Sequence, residues 1–168
     1  ALKGLGSDQV AQRGEYLLFL EEAVSYLTAL RLDTEVEEVD VKFLADDLRT
    51  WKEESFDPWV QEILDFSLVF QAEAVLRTAE LRYLKIRSDV ERLSDLKILT
   101  GNTADFLLTE ARLLLTSADS LLDKAEALLE EGDEDGQSRK LVSAAIGKIK
   151  LAYRKFLDIS YLVKGSLR

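Results

Sequence analysis

Cysteine, methionine and histidine are all missing from this chain of 168 residues. Without cysteine there is no disulfide, no thiolate metal site and no thiol nucleophile. Without histidine the chain lacks the commonest general base and the commonest transition-metal ligand. Serine–histidine triads, histidine-bearing di-iron sites and histidine-dependent ribonucleases are thereby excluded. Proline occurs once, at Pro58, and glycine eight times. So few helix breakers predict long helices and short loops. No run of apolar residues is long enough to span a bilayer. The opening residues, ALKGLGSDQ, lack the charged-then-apolar order of a signal peptide, so a cytoplasmic location is expected. Asparagine is found only at Asn102, and its scarcity beside abundant Glu, Lys and Arg hints at a heat-adapted source.

The net charge is −10, which disfavours bulk nucleic-acid binding. That charge is unevenly spread. Residues 139–168 hold eight Lys/Arg and one acid, net +7, whereas residues 1–138 carry −17.

The dominant pattern lies in residues 104–131. Ala104, Ala111, Ala118 and Ala125 recur every seven residues, as do Leu107, Leu114, Leu121 and Leu128, and Leu108, Leu115, Leu122 and Leu129. At 100° per residue these series merge into one broad apolar face, and the alanines allow a neighbouring helix to approach closely. Such a face needs more than one partner helix.

The rest of the chain supplies candidates. A helix capped by Ser7 or Asp8 runs to about Leu32, with Val10, Leu17, Leu20, Val24 and Leu27 on one stripe. Tyr16, Phe19, Ala23, Tyr26 and Leu30 form an adjoining stripe. Asp33–Thr34 reads as a turn, and Thr34-Glu35-Val36-Glu37 as the capping box of a second helix over about 35–54. Asp57-Pro58 is expected to be the strongest boundary in the chain. A third, long helix follows from Pro58 towards Gly101, bent near Ser88, where Ser88-Asp89-Val90-Glu91 is another capping-box pattern. After residues 104–131 and the loop 132–136, Ser138 is expected to cap a last helix ending near Gly165. Its stripe is Val142, Ala145, Ile149, Ala152, Phe156, Ile159 and Val163. These readings predict an all-α fold: one domain over 1–168, an antiparallel bundle of about five helices with a long central third helix.

Four features could carry chemistry. Acidic residues crowd the second helix, and carboxylates at i, i+3 or i, i+4 can share Mg²⁺. Glu35–Glu38 and Glu54–Asp57 have ExxE and ExxD spacings that resemble those of all-α nucleotide pyrophosphohydrolases. In that family the motif lies on a continuous helix, while Glu54–Asp57 is expected to straddle a helix end, so a solvated acidic face is preferred. Asp133-Glu134-Asp135 could suggest a Ca²⁺ loop, but the sixth and twelfth positions hold Ser138 and Ala144 instead of Gly and Glu. These acids are better placed to complement the dipole of the last helix. Trp51, Phe56 and Trp59 cluster near Pro58, where large aromatics plug a core. Gly14 and Gly147 sit inside predicted helices, as close helix approach would require.

The last feature is the basic set on the final helix: Arg139, Lys140, Lys148, Lys150, Arg154 and Lys155, followed by Lys164. It could dock an anionic partner, nucleic acid or an acidic protein surface, or complement acidic neighbours in its own bundle. No metal, cofactor or catalytic residue is expected. The surplus of adjoining apolar stripes points to a non-enzymatic interaction or assembly module, a small subunit or a self-associating protein. A nucleic-acid accessory protein and a Mg²⁺-dependent phosphohydrolase are the alternatives.

Overall fold

The computed structural model describes residues 7–36, 41–99, 101–133 and 136–166. All its regular elements are helical: α1 (Ser7–Val36), α2 (Val41–Trp51), a π-helical turn (Lys52–Phe56), α3 (Asp57–Asp95), α4 (Thr103–Glu131) and α5 (Gln137–Ser166). No strand occurs among the described residues, so the protein is all-α. Among the same residues no helix is long and apolar enough to cross a membrane.

Several expected boundaries move. α1 continues through Asp33, Thr34 and Glu35 to Val36, so Thr34 does not cap a second helix. Residues 37–40, including the Glu37 of that capping box, lie outside the described residues. Asp57-Pro58 does not break the chain either. α2 passes into α3 through the π turn, with the Asp57 N–H donating to the Lys52 carbonyl. In a regular α-helix the Pro58 ring would collide with the carbonyl four residues back. The wider i→i+5 turn absorbs that conflict without ending the helix. It also places Lys52 Nζ 2.5 Å from Asp57 Oδ2.

α3 runs unbroken through Ser88. Glu91 does not reach back to Ser88 but accepts from Arg87 Nε at 2.8 Å. The helix stops at Asp95 rather than near Gly101. Lys97 takes the left-handed position at φ 57°. Its N–H donates to the Ser94 carbonyl at 2.9 Å, and the Ile98 N–H to the Leu93 carbonyl at 3.0 Å. This is a Schellman ending with lysine in the usual glycine position. At the start of α5 the cap is Asp133, not Ser138. Its carboxylate accepts the N–H groups of Gln137 at 2.8 Å and Ser138 at 2.7 Å. Ser138 is instead buried inside the helix, which continues one residue past Gly165.

Contacts divide the chain into two compact units, Ala1–Ile63 and Leu64–Arg168. In residues 64–168 the core is built on small residues repeated every seven positions. Ala72 and Ala79 on α3, Ala111, Ala118 and Ala125 on α4, and Ala145 and Ala152 on α5 are all buried. Leu76, Leu115, Leu122, Ile149 and Phe156 fill the space between them, each stabilising by about 1.5–3 kcal/mol on burial. A second cluster of Val90, Leu99, Ala104, Leu108 and Ile159 continues this core. Glu110, early in α4, pairs with Lys155, late in α5, at 2.8 Å, so these two helices run in opposite order. α3 and α5 run in the same order: Asp65 meets Arg139, and further along the Arg82 guanidinium lies 5.5 Å over the Tyr153 ring.

Residues 1–63 pack differently. Aromatic pairs are prominent among their described contacts. Phe19 stacks on Trp59 with centroids 3.8 Å apart, and Tyr16 meets the same indole edge-on at 6.0 Å. Tyr26 stacks on Trp51 at 4.7 Å, and Trp51 leans on Phe56 at 5.3 Å. The Tyr26 hydroxyl donates to Asp47 Oδ2 at 2.9 Å. Burial and this carboxylate together push the Tyr26 phenol above its ordinary pKa. The tryptophans therefore plug α1's inner stripe, as large aromatics should, but along a continuous helix rather than at a corner. Ala23 is the only described core residue of this unit.

Candidate interaction surfaces

The basic residues of α5 separate into two groups. Arg139 makes a two-pronged ion pair with Asp65. Its Nε donates to Asp65 Oδ1, and its Nη2 to Oδ2 at 3.0 Å. Asp65 is buried at 5% exposure, so the guanidinium compensates a carboxylate that water does not reach. The pairing pushes the Arg139 pKa up against the opposing effect of desolvation. Lys155 is half-buried and held by Glu110, which raises its pKa in the same way. Lys140, Lys150 and Arg154 are exposed, and Lys148 is half-buried; none of these four has an ion-pair partner among the described residues. The structure thus ties two of the six cations into their own unit and leaves Lys140, Lys150 and Arg154 exposed to solvent.

Asp65 is a charged residue that the spacing could have revealed. The inward stripe of α3 runs Ala72, Leu76, Ala79, Tyr83, Ile86 and Val90. Extended backwards by the same steps it reaches Val69 and then Asp65. A carboxylate at a core position demands a cation across the interface.

Of the two acidic pairs with ExxE and ExxD spacing, Glu54–Asp57 lies within the described residues and Glu35–Glu38 does not. Glu38 and Asp40 lie outside the described residues, as do Glu134 and Asp135. Glu54 and Asp57 are on one continuous helical run after all, not across a helix end. The Asp57 carboxylate is engaged by Lys52. Among the described residues no group of three or more acidic, histidine or cysteine side chains comes together. Asp133, the one member of its acidic loop that is described, caps α5. The Ser138 side chain beside it and the N–H groups of Ser138 and Gln137 hold its carboxyl below the usual range, outweighing partial burial.

A cleft of about 610 Å³ opens between α3 and α5, with Val90, Phe156 and Ile159 as its floor and Asp89, Arg92 and Lys164 on its rim. Tight helix approach does not explain Gly14 and Gly147: a Cβ at either would meet nothing within 4 Å.

An apolar stripe at regular helical spacing is left uncovered on α1. Leu17, Leu20, Val24 and Leu27 follow 3, 4, 3 spacing and are all exposed, Val24 to 62%. Leu18, on another side of the helix, is exposed to the same extent as Val24. By contrast both adjoining stripes of α4 are covered: its alanines and Leu108, Leu115 and Leu122 are buried, and Leu107, Leu114, Leu121 and Leu128 are half-buried. Apolar surface concentrated on one helix face is the mark of an interaction site.

No protein-family model, curated protein or solved structure matches the chain. The functional reading therefore rests on the surfaces themselves.

Proposed function

We propose that this protein is a non-enzymatic helical interaction module, a small subunit or self-associating component of a larger cytoplasmic assembly. The observation that carries the reading is the exposed stripe Leu17, Leu20, Val24 and Leu27 beside an inner stripe that is already occupied. A helix that satisfies one stripe and leaves a second bare is equipped to receive another helix. The finer architecture we propose is an antiparallel bundle of about five helices. The opposed order of α4 and α5 supports it within residues 64–168.

The Leu20→Ser/Val24→Ser double substitution tests this function. Both positions face solvent, so the helix content and melting temperature should stay near those of the parent. Assembly, read as mass in solution by light scattering or as capture of a partner, should be lost. Retained assembly would refute the role given to α1.

Lys140, Lys150 and Arg154 support a second reading, docking of nucleic acid on α5. Labelled oligonucleotides at low salt test it, and absence of binding there ends it. The phosphohydrolase reading draws less support, since Lys52 engages Asp57. A nucleotide panel with and without Mg²⁺ checks it directly.

A further inference from the structure

We propose that the bare stripe of α1 receives a cationic amphipathic helix belonging to a separate partner protein. This deepens the interaction reading above and rests on it. Two observations carry it.

The first is shape. Leu17, Leu20, Val24 and Leu27 repeat at alternating three and four residues, the seam that takes the side chains of a facing helix into its gaps. From Leu17 to Leu27, eleven residues, the stripe rises about 15 Å, long enough for two to three turns of a partner. A lone exposed leucine would carry no such geometry.

The second is charge. Residues 1–63 hold 6 Lys/Arg against 15 Asp/Glu, net −9, whereas residues 64–168 hold 16 against 17, net −1. Nearly all of the protein's net negative charge thus belongs to the unit that bears the bare stripe. Glu21 lies alongside the stripe and is exposed, whereas Glu22, also exposed, falls on the opposite side of the helix. Partners of the same sign are repelled here: nucleic acid, an anionic lipid surface, or the same face of a second copy, which would set −9 against −9. A helix with leucines on one side and lysines or arginines flanking them satisfies both the seam and the field.

The experiment uses the full chain. Trp51 and Trp59 are its two tryptophans, and both pack on the inner stripe of α1. Their fluorescence is therefore an internal reporter. Three tryptophan-free synthetic peptides are titrated: a Leu/Lys helix with leucines at three-four spacing, the same composition scrambled, and a Leu/Glu helix of the first pattern. The Leu/Lys helix should bind at least about tenfold more tightly than either of the others, and more weakly as salt rises from about 50 to 500 mM. Leu20→Ser/Val24→Ser should weaken it by about tenfold or more. Phe106→Ser/Leu113→Ser, on exposed positions of α4, should leave it unchanged.

Equal binding of the scrambled peptide, or indifference to the α1 substitutions, would overturn the proposal by showing attraction through charge alone. Preference for the Leu/Glu helix would overturn the partner's charge while leaving an interaction module standing. Self-association abolished by the α1 substitutions would make a second copy the occupant and overturn a separate partner. A monomer that binds none of the peptides would overturn both this proposal and the reading beneath it.

Discussion

α1 and α4 are written in nearly the same pattern and meet different fates. Each carries two adjoining apolar stripes at three-four spacing. On α4 the innermost stripe is alanine every seven residues, and Ala111, Ala118 and Ala125 are fully buried. Its neighbours repeat the device: Ala72 and Ala79 on α3, Ala145 and Ala152 on α5. Small residues in register on every face let the helices close, and the flanking leucines are covered as a consequence. Among the described residues α1 has one buried alanine, Ala23, amid Tyr16, Phe19 and Tyr26. Bulky rings hold on to Trp51 and Trp59 but leave the next stripe, Leu17 to Leu27, in water. Apolar periodicity names a helix; the distribution of small residues decides how many of its sides find a partner.

The contrast can be broken most severely at Ala118. Ala118→Asp places an unpaired charge at a fully buried position and should cost about 3–5 kcal/mol. Leu122→Ala removes a nearly inaccessible side chain and should cost about 3 kcal/mol in chemical denaturation. Arg139→Met should lower the melting temperature more than Arg154→Met, because it strands the buried Asp65 carboxylate. Adding Asp65→Leu should restore most of the loss.

At the start of α5, Asp133→Ala removes a cap on two N–H groups and should cost about 1 kcal/mol. The cap also sets a pH dependence. A carboxyl whose pKa falls on folding stabilises the native state above its ordinary value of 3.8, and the gain disappears as pH drops through the lowered folded value. The gap in melting temperature between parent and Asp133→Asn should therefore be full near neutrality and close below pH 3.8. Gly147→Ala, in open helical surroundings, should stabilise by up to about 1 kcal/mol. The smallest effect belongs to α1, where Leu20→Ser at an exposed site should change stability by less than about 0.5 kcal/mol.

Much of this was legible in the chain. The alanine and leucine series of residues 104–131 predicted α4 and its buried face, and the stripe of Val142 to Ile159 predicted that of α5. The spare stripe of α1 was visible as well, though not whether it or a stripe of α4 would stay bare. Local signals misled where longer-range continuity won. Thr34 and Ser88 have capping-box neighbours, yet both lie within helices that run on past them. Pro58 reads as a stop because the rule assumes regular α geometry, and the π turn supplies another. Lys97, not Gly101, took the left-handed position that ends α3, since the Schellman hydrogen bonds form five residues after Leu93 irrespective of where glycine lies. Asp65 is hard to see because it precedes the first alanine of its stripe, Ala72, and only the backward continuation through Val69 brings it onto the core face.

Thiol accessibility tests the account most directly, because the chain has no cysteine of its own to react. Val24→Cys and Ala118→Cys place one thiol on each of the two contrasted helices. A water-soluble thiol reagent should modify the first at the rate seen in denatured protein. It should modify the second at least about a thousandfold more slowly, limited by opening of the core. Equal rates at the two positions, or protection of the α1 thiol in the isolated protein, would contradict the claim that the alanine stripe of α4 is covered and the outer stripe of α1 is bare.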